Sequence, residues 1–204
     1  MYFYNTKVNS CLGLSIAKLA TVLVFLSFPS NLFGATDEHH CDRLAAFPDD
    51  PFGVVEGVSW DRLNAELAID ACEQAVTDSP TEPRFLFLYG RALLKAKRFK
   101  DALAILERAK TQGYVTASHL IGVVYFNAWG VNEDRKKAAE NFRPAASAGL
   151  PLAQYALGHL LESGSGVKKD LVQAADWYRK AADPGLIHPR IGEIYSELRP
   201  RHIA

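Results

Sequence analysis

Ala153-Gln154-Tyr155-Ala156-Leu157-Gly158-His159-Leu160-Leu161, then Ser163-Gly164-Ser165-Gly166-Val167, then Asp170 and Leu171-Val172-Gln173-Ala174-Ala175-Asp176-Trp177-Tyr178-Arg179-Lys180-Ala181-Ala182 make one unit of a pattern written twice between Ala117 and His188. Shifted by 36 residues, Ala117 falls on Ala153, Gly122 on Gly158, Gly130 on Gly166, Val131 on Val167 and Asp134 on Asp170. Ala138-Ala139 then falls on Ala174-Ala175, Ala145-Ala146 on Ala181-Ala182, and Gly149-Leu150 on Gly185-Leu186. A fixed period of this length marks a stacked repeat, and it decides the fold before any single motif is weighed.

Each unit predicts two helices and a tight turn. In helix A, from Ala153 to Leu161, small and large apolar residues recur at helical spacing. Gly158 has no Cβ, so a neighbouring helix can approach closely there. The turn glycines reach positive φ at low steric cost. Asp170 is a good N-cap, and Gln173 three residues on completes a pattern like a capping box. Helix B, Leu171 to Ala182, stops near Asp183-Pro184-Gly185, because Pro and Gly both end helices.

The run Gly158, Gly164-Ser165-Gly166-Val167, Asp170, Ala174-Ala175, Trp177-Tyr178-Arg179-Lys180-Ala181-Ala182, Gly185 closely resembles the Sel-one-like repeat (SLR), a variant of the tetratricopeptide repeat (TPR). The resemblance implies an all-α fold, an α/α solenoid coiled as a right-handed superhelix, that binds proteins. The first copy departs from the pattern. Ala128 stands where a turn glycine is expected, with Trp129 beside it, and Asn141 stands at the position of Trp177. Pro144 falls inside helix B, where it removes one amide hydrogen bond and crowds the carbonyl of Glu140. That predicts a kink, or an end to the helix near Arg143.

Upstream, Gly90, Ala102 and Ala109 have the spacing of the small positions of a TPR unit, with Phe99 just before helix B. Moving back by 34 residues reaches Ala68 and Ala75, and Pro80 stands where a unit-closing proline is common. Asp61 to Val76 therefore predicts one helix, capped by Asp61, and Thr81 to Thr111 a full hairpin. Downstream, Ile191-Gly192-Glu193-Ile194-Tyr195 echoes Leu157-Gly158 and predicts a terminal capping helix, with polar Ser196, Glu197, Arg199 and Arg201 turned to water.

Residues 1–35 contain no Asp or Glu and carry only Lys7 and Lys18 as charges. The apolar run Leu19 to Phe28 is too short to span a bilayer, Pro29-Ser30-Asn31 ends it, and Gly34-Ala35 supplies small residues for cleavage. This layout predicts a secretory signal peptide and a mature chain beginning near Thr36. The competing readings are an uncleaved anchor or an extended start. No cysteine of the lipoprotein type follows the run. Cleavage leaves 21 basic against 23 acidic residues, a net charge of −2 that gives no support for nucleic-acid or anionic-membrane binding. The expected organisation is a signal peptide over 1–35, an N-terminal segment with a short helix and an irregular loop over 36–60, and TPR-like helices over 61–116. SLR repeats follow over 117–152 and 153–188, with a C-terminal capping helix over 189–204.

Cys11 leaves with the signal, and Cys41 and Cys72 remain. In an oxidising compartment they predict a disulfide, the alternative being two unpaired buried thiols. No cysteine follows Cys72, which separates the chain from the cysteine-rich SLR branch that has been linked to β-lactam binding. Phe47-Pro48-Asp49-Asp50-Pro51-Phe52-Gly53 cannot form a regular helix. With Val54 to Trp60 it reads as an ordered loop, Trp60 packing on the first helix pair.

Candidate chemistry is thin. His39-His40-Cys41-Asp42 has metal-binding side chains, but adjacent residues rarely supply a whole coordination sphere. The favoured reading there is an N-terminal tail, with no metal. His119 and His159 lie on A helices, and Glu162 three residues after His159 could hydrogen-bond to it, yet no Ser or Cys stands beside the pair. Gly164-Ser165-Gly166 lacks the Lys-Ser/Thr of a phosphate loop and lies between two helices. No cofactor and no enzymatic activity are expected. The resemblance implies that A helices line a concave groove, so Phe87, Arg91, His119, Val123, Phe126, Tyr155, His159 and Glu162 are the expected binding residues. Their mixture of aromatic and charged side chains suits a peptide or protein partner. The expected function is an exported scaffold in a bacterial periplasm or beyond, with no membrane insertion after cleavage. The alternatives are a periplasmic subunit that inhibits a membrane sensor, and an enzyme acting on cell-envelope polymers through His159 and Glu162.

Overall fold

Side-chain caps or first-turn prolines start six of the eight described helices. The structure, a computed structural model, describes residues 39–48 and 50–182. The expected signal segment over 1–35, the mature start at Thr36 and the capping helix over 189–204 lie outside the described residues. Among the described residues the chain forms eight α-helices and no strand: α1 His40–Ala45, α2 Ala65–Asp78, α3 Pro83–Lys95, α4 Phe99–Thr111, α5 Ala117–Phe126, α6 Arg135–Ser147, α7 Pro151–Ser163 and α8 Leu171–Ala181. None is long and apolar enough to cross a membrane. Asp134 and Asp170 cap α6 and α8, accepting from the amides of Lys137 at 2.8 Å and Gln173 at 2.9 Å. Gln173 Nε2 closes the second cap by donating to Asp170 Oδ2 at 2.7 Å. Pro83 and Pro151 occupy first turns, where the missing amide costs nothing.

One expected start is corrected. The cap of α2 is Asn64, whose Oδ1 accepts from the Leu67 amide at 3.2 Å, and not Asp61. Asp61 lies fully exposed in the preceding turn, where a hydrogen bond from Ser59 holds its carboxyl below the usual range. Trp60 is also more exposed than its sequence suggests, at 43%. Its ring meets Lys95 Nζ at 5.3 Å, at the end of α3, instead of entering a helix pair.

The helices pair as α3/α4, α5/α6 and α7/α8, and successive hairpins stack through α4 with α5 and α6 with α7. α1 packs on α2 and on α3. In each hairpin a glycine of the first helix faces a large side chain of the second: Gly90 faces Leu106, Gly122 Phe142 and Gly158 Tyr178. A Cβ at Gly158 would stand 2.9 Å from the Tyr178 ring, and one at Gly122 2.6 Å from Phe142. Tyr178 is fully buried, whereas Trp177 is half-buried with Lys180 Nζ 4.0 Å from its ring centre. Tyr178 is thus the aromatic that fills the hairpin core.

The two copies of the turn share one backbone path. Gly164 has φ of 72°, and Ala128, at the same repeat position, is held at 56°. The left-handed region costs a residue with a Cβ about 1–2 kcal/mol. α6 runs unbroken through Pro144 to Ser147, which corrects the expected end near Arg143. The C-terminal turn of α6 is secured from outside, because the buried Gln154 of α7 donates Nε2 to the carbonyl of Ala146 at 3.1 Å.

Cys41 and Cys72 form the expected disulfide, joining α1 to α2 across a separation of 31 residues. Constraining a loop of this length in the unfolded chain stabilises the fold by about 3–4 kcal/mol. Cys41→Ser/Cys72→Ser should lower the free energy of unfolding by that amount, read from urea denaturation; an unchanged midpoint would contradict the assignment. Two single changes test the repeat geometry in the same assay. Ala128→Gly should stabilise by about 1 kcal/mol, by removing a Cβ from a left-handed residue. Gly158→Ala should destabilise by about 1–3 kcal/mol, by forcing α7 away from Tyr178.

Candidate functional site

The hairpin glycines fix the register of the A helices α3, α5 and α7. Aligning Gly90, Gly122 and Gly158 brings Phe87, His119 and Tyr155 to one level, and Arg91, Val123 and His159 to the next. Arg84, Thr116 and Leu152 share a third level, and Leu94, Phe126 and Glu162 a fourth. The eight expected binding residues thus fall at three recurring positions of successive helices, as one continuous surface requires.

Three of them are not open to solvent. Phe87, Arg91 and His119 are 0%, 1% and 6% exposed, because the chain between α1 and α2 lies over them. The Phe47 ring stands 5.7 Å from Phe87, edge-on, and 5.8 Å from His119. The Arg91 guanidinium lies over Phe47 at 5.4 Å. Its Nη1 donates to the carbonyls of Ala45 at 2.9 Å and Ala46 at 2.7 Å, and its Nη2 to that of Val58. Burial lowers the Arg91 pKa to about 10, so the group stays cationic at neutral pH. Asp50 fastens the same segment: Tyr114 donates to its Oδ2 at 2.6 Å and Thr116 to its Oδ1 at 2.9 Å. Burial, then this bond to Asp50, pushes the Tyr114 phenol up, so it remains a donor at any ordinary pH.

The other expected residues form the uncovered part of the face. Val123 and Phe126 are half-buried on α5. The Phe126 ring carries the Arg135 guanidinium at 3.9 Å and meets His159 edge-on at 6.2 Å. Tyr155 is half-buried, 5.5 Å from Tyr178. His159 is exposed, and Leu152 is 46% exposed. Glu162 Oε2 accepts from the Tyr178 hydroxyl at 2.7 Å, so this carboxylate is engaged with the core and not with His159.

The N-terminal histidine cluster is used structurally. His39 caps α1, its Nδ1 accepting from the Cys41 amide at 3.2 Å while its own amide donates to Asp42 Oδ2 at 3.0 Å. Asp42 faces Arg84 at 3.5 Å, and Cys41 is in the disulfide. Among the described residues no three His, Cys, Asp or Glu side chains come together as a metal site.

Comparison with known proteins agrees with this architecture. The Sel1 repeat family matches residues 115–150 and 151–185, and a tetratricopeptide repeat family matches residues 64–115. The Sel1 repeat protein from Oxalobacter formigenes is 34% identical over 54% of this chain and 45% of its own, with a TM-score of 0.50. The Helicobacter pylori cysteine rich protein B is 19% identical over 64% of this chain and 97% of its own, with a TM-score of 0.50, and shares the fold. The protein c5321, a protective antigen present in uropathogenic Escherichia coli strains displaying an SLR fold, is 29% identical over 56% of this chain and 25% of its own, with a TM-score of 0.48. The chain thus spans less than half the length of the Oxalobacter and Escherichia proteins. No curated protein matches it. The hairpin stack with its glycine register defines an all-α, tetratricopeptide-like solenoid. Its repeats match the Sel1 repeat over residues 115–185 and the tetratricopeptide repeat over residues 64–115, which supports a solenoid of the SLR kind.

His119 gives the fold a pH dependence. Burial holds its pKa at about 4, against 6.5 for the free side chain, so it is neutral in the folded protein at neutral pH. Its Nδ1 finds no hydrogen-bond partner among the described residues. Between these two values the unfolded chain binds a proton that the folded chain does not. The stability contribution is therefore complete above pH 6.5 and declines towards pH 4, by up to about 3 kcal/mol. His119→Gln should flatten that part of the profile. Urea unfolding of both proteins at neutral and mildly acid pH reads the difference, and equal slopes would clear His119 of the effect.

Proposed function

We propose that this protein is an exported, non-enzymatic scaffold that captures an extended peptide or a protein loop on the open stretch of its A-helix face. One observation carries the reading. Equivalent repeat positions are covered at Phe87 and Arg91 of α3 and His119 of α5, which lie under the chain's own loop, and uncovered over α7, where Leu152 and His159 are exposed. Aromatic side chains half-held by the core keep apolar area in contact with solvent without the entropic cost of ordering a free one. Phe126 and Tyr155 have that character. His159 and Arg135 beside them add polar donors that suit carboxylates and main-chain carbonyls. Glu162 marks the edge of the surface. The disulfide and the apolar, acid-free first 35 residues both support export to a periplasm or the exterior.

A few anchors dominate such interfaces, each costing about 2 kcal/mol or more on truncation, or roughly thirtyfold in affinity. With residues 36–204 as bait in cell-envelope extract, the captured partner identified and then titrated, Tyr155→Ala and His159→Ala should each weaken capture by about that factor while the far-UV spectrum stays helical. Normal capture by both variants, with loss on changing exposed residues of α4 or α6, would place the surface on the other side of the solenoid.

A further inference from the structure

The A-helix face over α3 and α5 already holds a loop of chain, and it is the protein's own. Among its described residues the segment from Ala46 to Val58 turns back on itself, Asp50 bonding to Phe47, Gly53 to Asp50 and Val58 to Ala46. The face holds this loop at the Ala46 and Val58 carbonyls and at the Phe47 and Asp50 side chains. Phe47 is 9% exposed, its ring among Phe87, Arg91 and His119. Every hydrogen bond of the Arg91 guanidinium goes to a main-chain carbonyl. Asp50 is gripped by two hydroxyls from the start of α5. Reading main-chain carbonyls with a buried cation, together with one aromatic anchor and one carboxylate, is what a peptide site does.

We propose that this segment is a tethered pseudo-ligand: it fills the stretch of the A-helix face that an external peptide would otherwise take, and the peptide that competes for it has the same chemistry, an aromatic residue followed three positions later by a carboxylate. The inference rests on the A-helix face being the binding surface. The level occupied by Phe47 is continuous with the open one, since Phe47 touches His119 and the repeat equivalent of His119 is Tyr155. A peptide seated in place of the segment would run from α3 over α5 towards α7. The segment competes well because it is attached. α1, pinned by the Cys41–Cys72 disulfide, holds one end and α2 the other, which gives an effective concentration in the millimolar range. Weakening its two side-chain anchors removes much of that advantage without altering the face.

The test uses the full mature chain with its disulfide intact and a fluorescent peptide with the sequence of residues 44–59. Phe47→Ala/Asp50→Ala should bind the peptide at least tenfold more tightly than the unchanged protein. A control peptide carrying the same two replacements should bind neither. Equal affinity for both proteins would overturn the proposal. So would absence of binding by the double variant when hydrogen exchange shows its residues 46–58 released. Should the double variant not unfold cooperatively, Asp50→Asn, which keeps Phe47 seated, should give a smaller shift in the same direction, and no shift would count against the proposal. Failure of the peptide with Tyr155-dependent partner capture intact would overturn the pseudo-ligand alone, whereas failure of both would also overturn the face as the binding surface.

Discussion

The contact between a glycine on one helix and a large side chain on the next sets the geometry on which the other contacts depend. In all three hairpins the missing Cβ admits Leu106, Phe142 or Tyr178 to within van der Waals distance of the first helix's backbone. Close approach fixes the rotation of each A helix as well as its distance, so which residues face outward follows from the glycine's position. Phe87, His119 and Tyr155 share a level because each precedes its glycine by three residues. Tyr178 adds a second function, for its hydroxyl reaches Glu162 and ties the end of α7 to α8. The same side chain therefore spaces the last hairpin and orients the edge of its exposed face.

The helices, their caps and the turns were legible because they are local. Asp134 and Asp170 act within a few residues of where they stand, and the period of 36 aligns the two copies without reference to anything distant. The Asp61 expectation failed on the same scale: two capping residues, Asp61 and Asn64, compete within one turn, and the bond from Ser59 leaves the role to Asn64. The register of the A-helix residues was legible, and the loop that covers Phe87, Arg91 and His119 was not. Arg91 reads in sequence as a cation for a partner's carboxylate. Its actual partners, the carbonyls of Ala45, Ala46 and Val58, lie 33 to 46 residues away, and carbonyls leave no trace in side-chain identity. Tyr114 and Thr116 reach Asp50 across 64 and 66 residues. Phe47-Pro48 and Asp50 in a segment that cannot be helical were the one available signal, since such a segment must bury Phe47 somewhere.

Net charge close to zero hides a polarised chain. Residues 36–82 carry 12 acidic and 2 basic side chains, and residues 83–204 carry 11 acidic and 19 basic ones. A whole-chain balance therefore describes neither end of the solenoid, and preference for an anionic or cationic partner has to be judged face by face. Next to the acidic stretch lies Arg91, yet its hydrogen bonds go to carbonyls. The arrangement keeps a cation in the core without a carboxylate beside it, and satisfying that cation depends on the segment's backbone path and not on a charge that a single substitution could remove.

A solenoid is ordinarily stabilised hairpin by hairpin, each contacting only its neighbours. This chain breaks that rule at one end. The disulfide joins α1 to α2, α1 packs on α3, and the segment before α2 reaches both α3 and α5. α1, α2 and the first two hairpins are thereby bound by contacts that skip along the stack, which should couple their unfolding. α7 and α8 have no such reinforcement among the described residues; they pack on each other, and α7 packs on α6. Sub-global opening should therefore begin at the end where Leu152 and His159 are exposed, and binding elements are commonly drawn from the least stable part of a fold. The segment that covers Phe87, Arg91 and His119 also ties α3 to the start of α5, so the two ends of the described stack are held by contacts of different kinds.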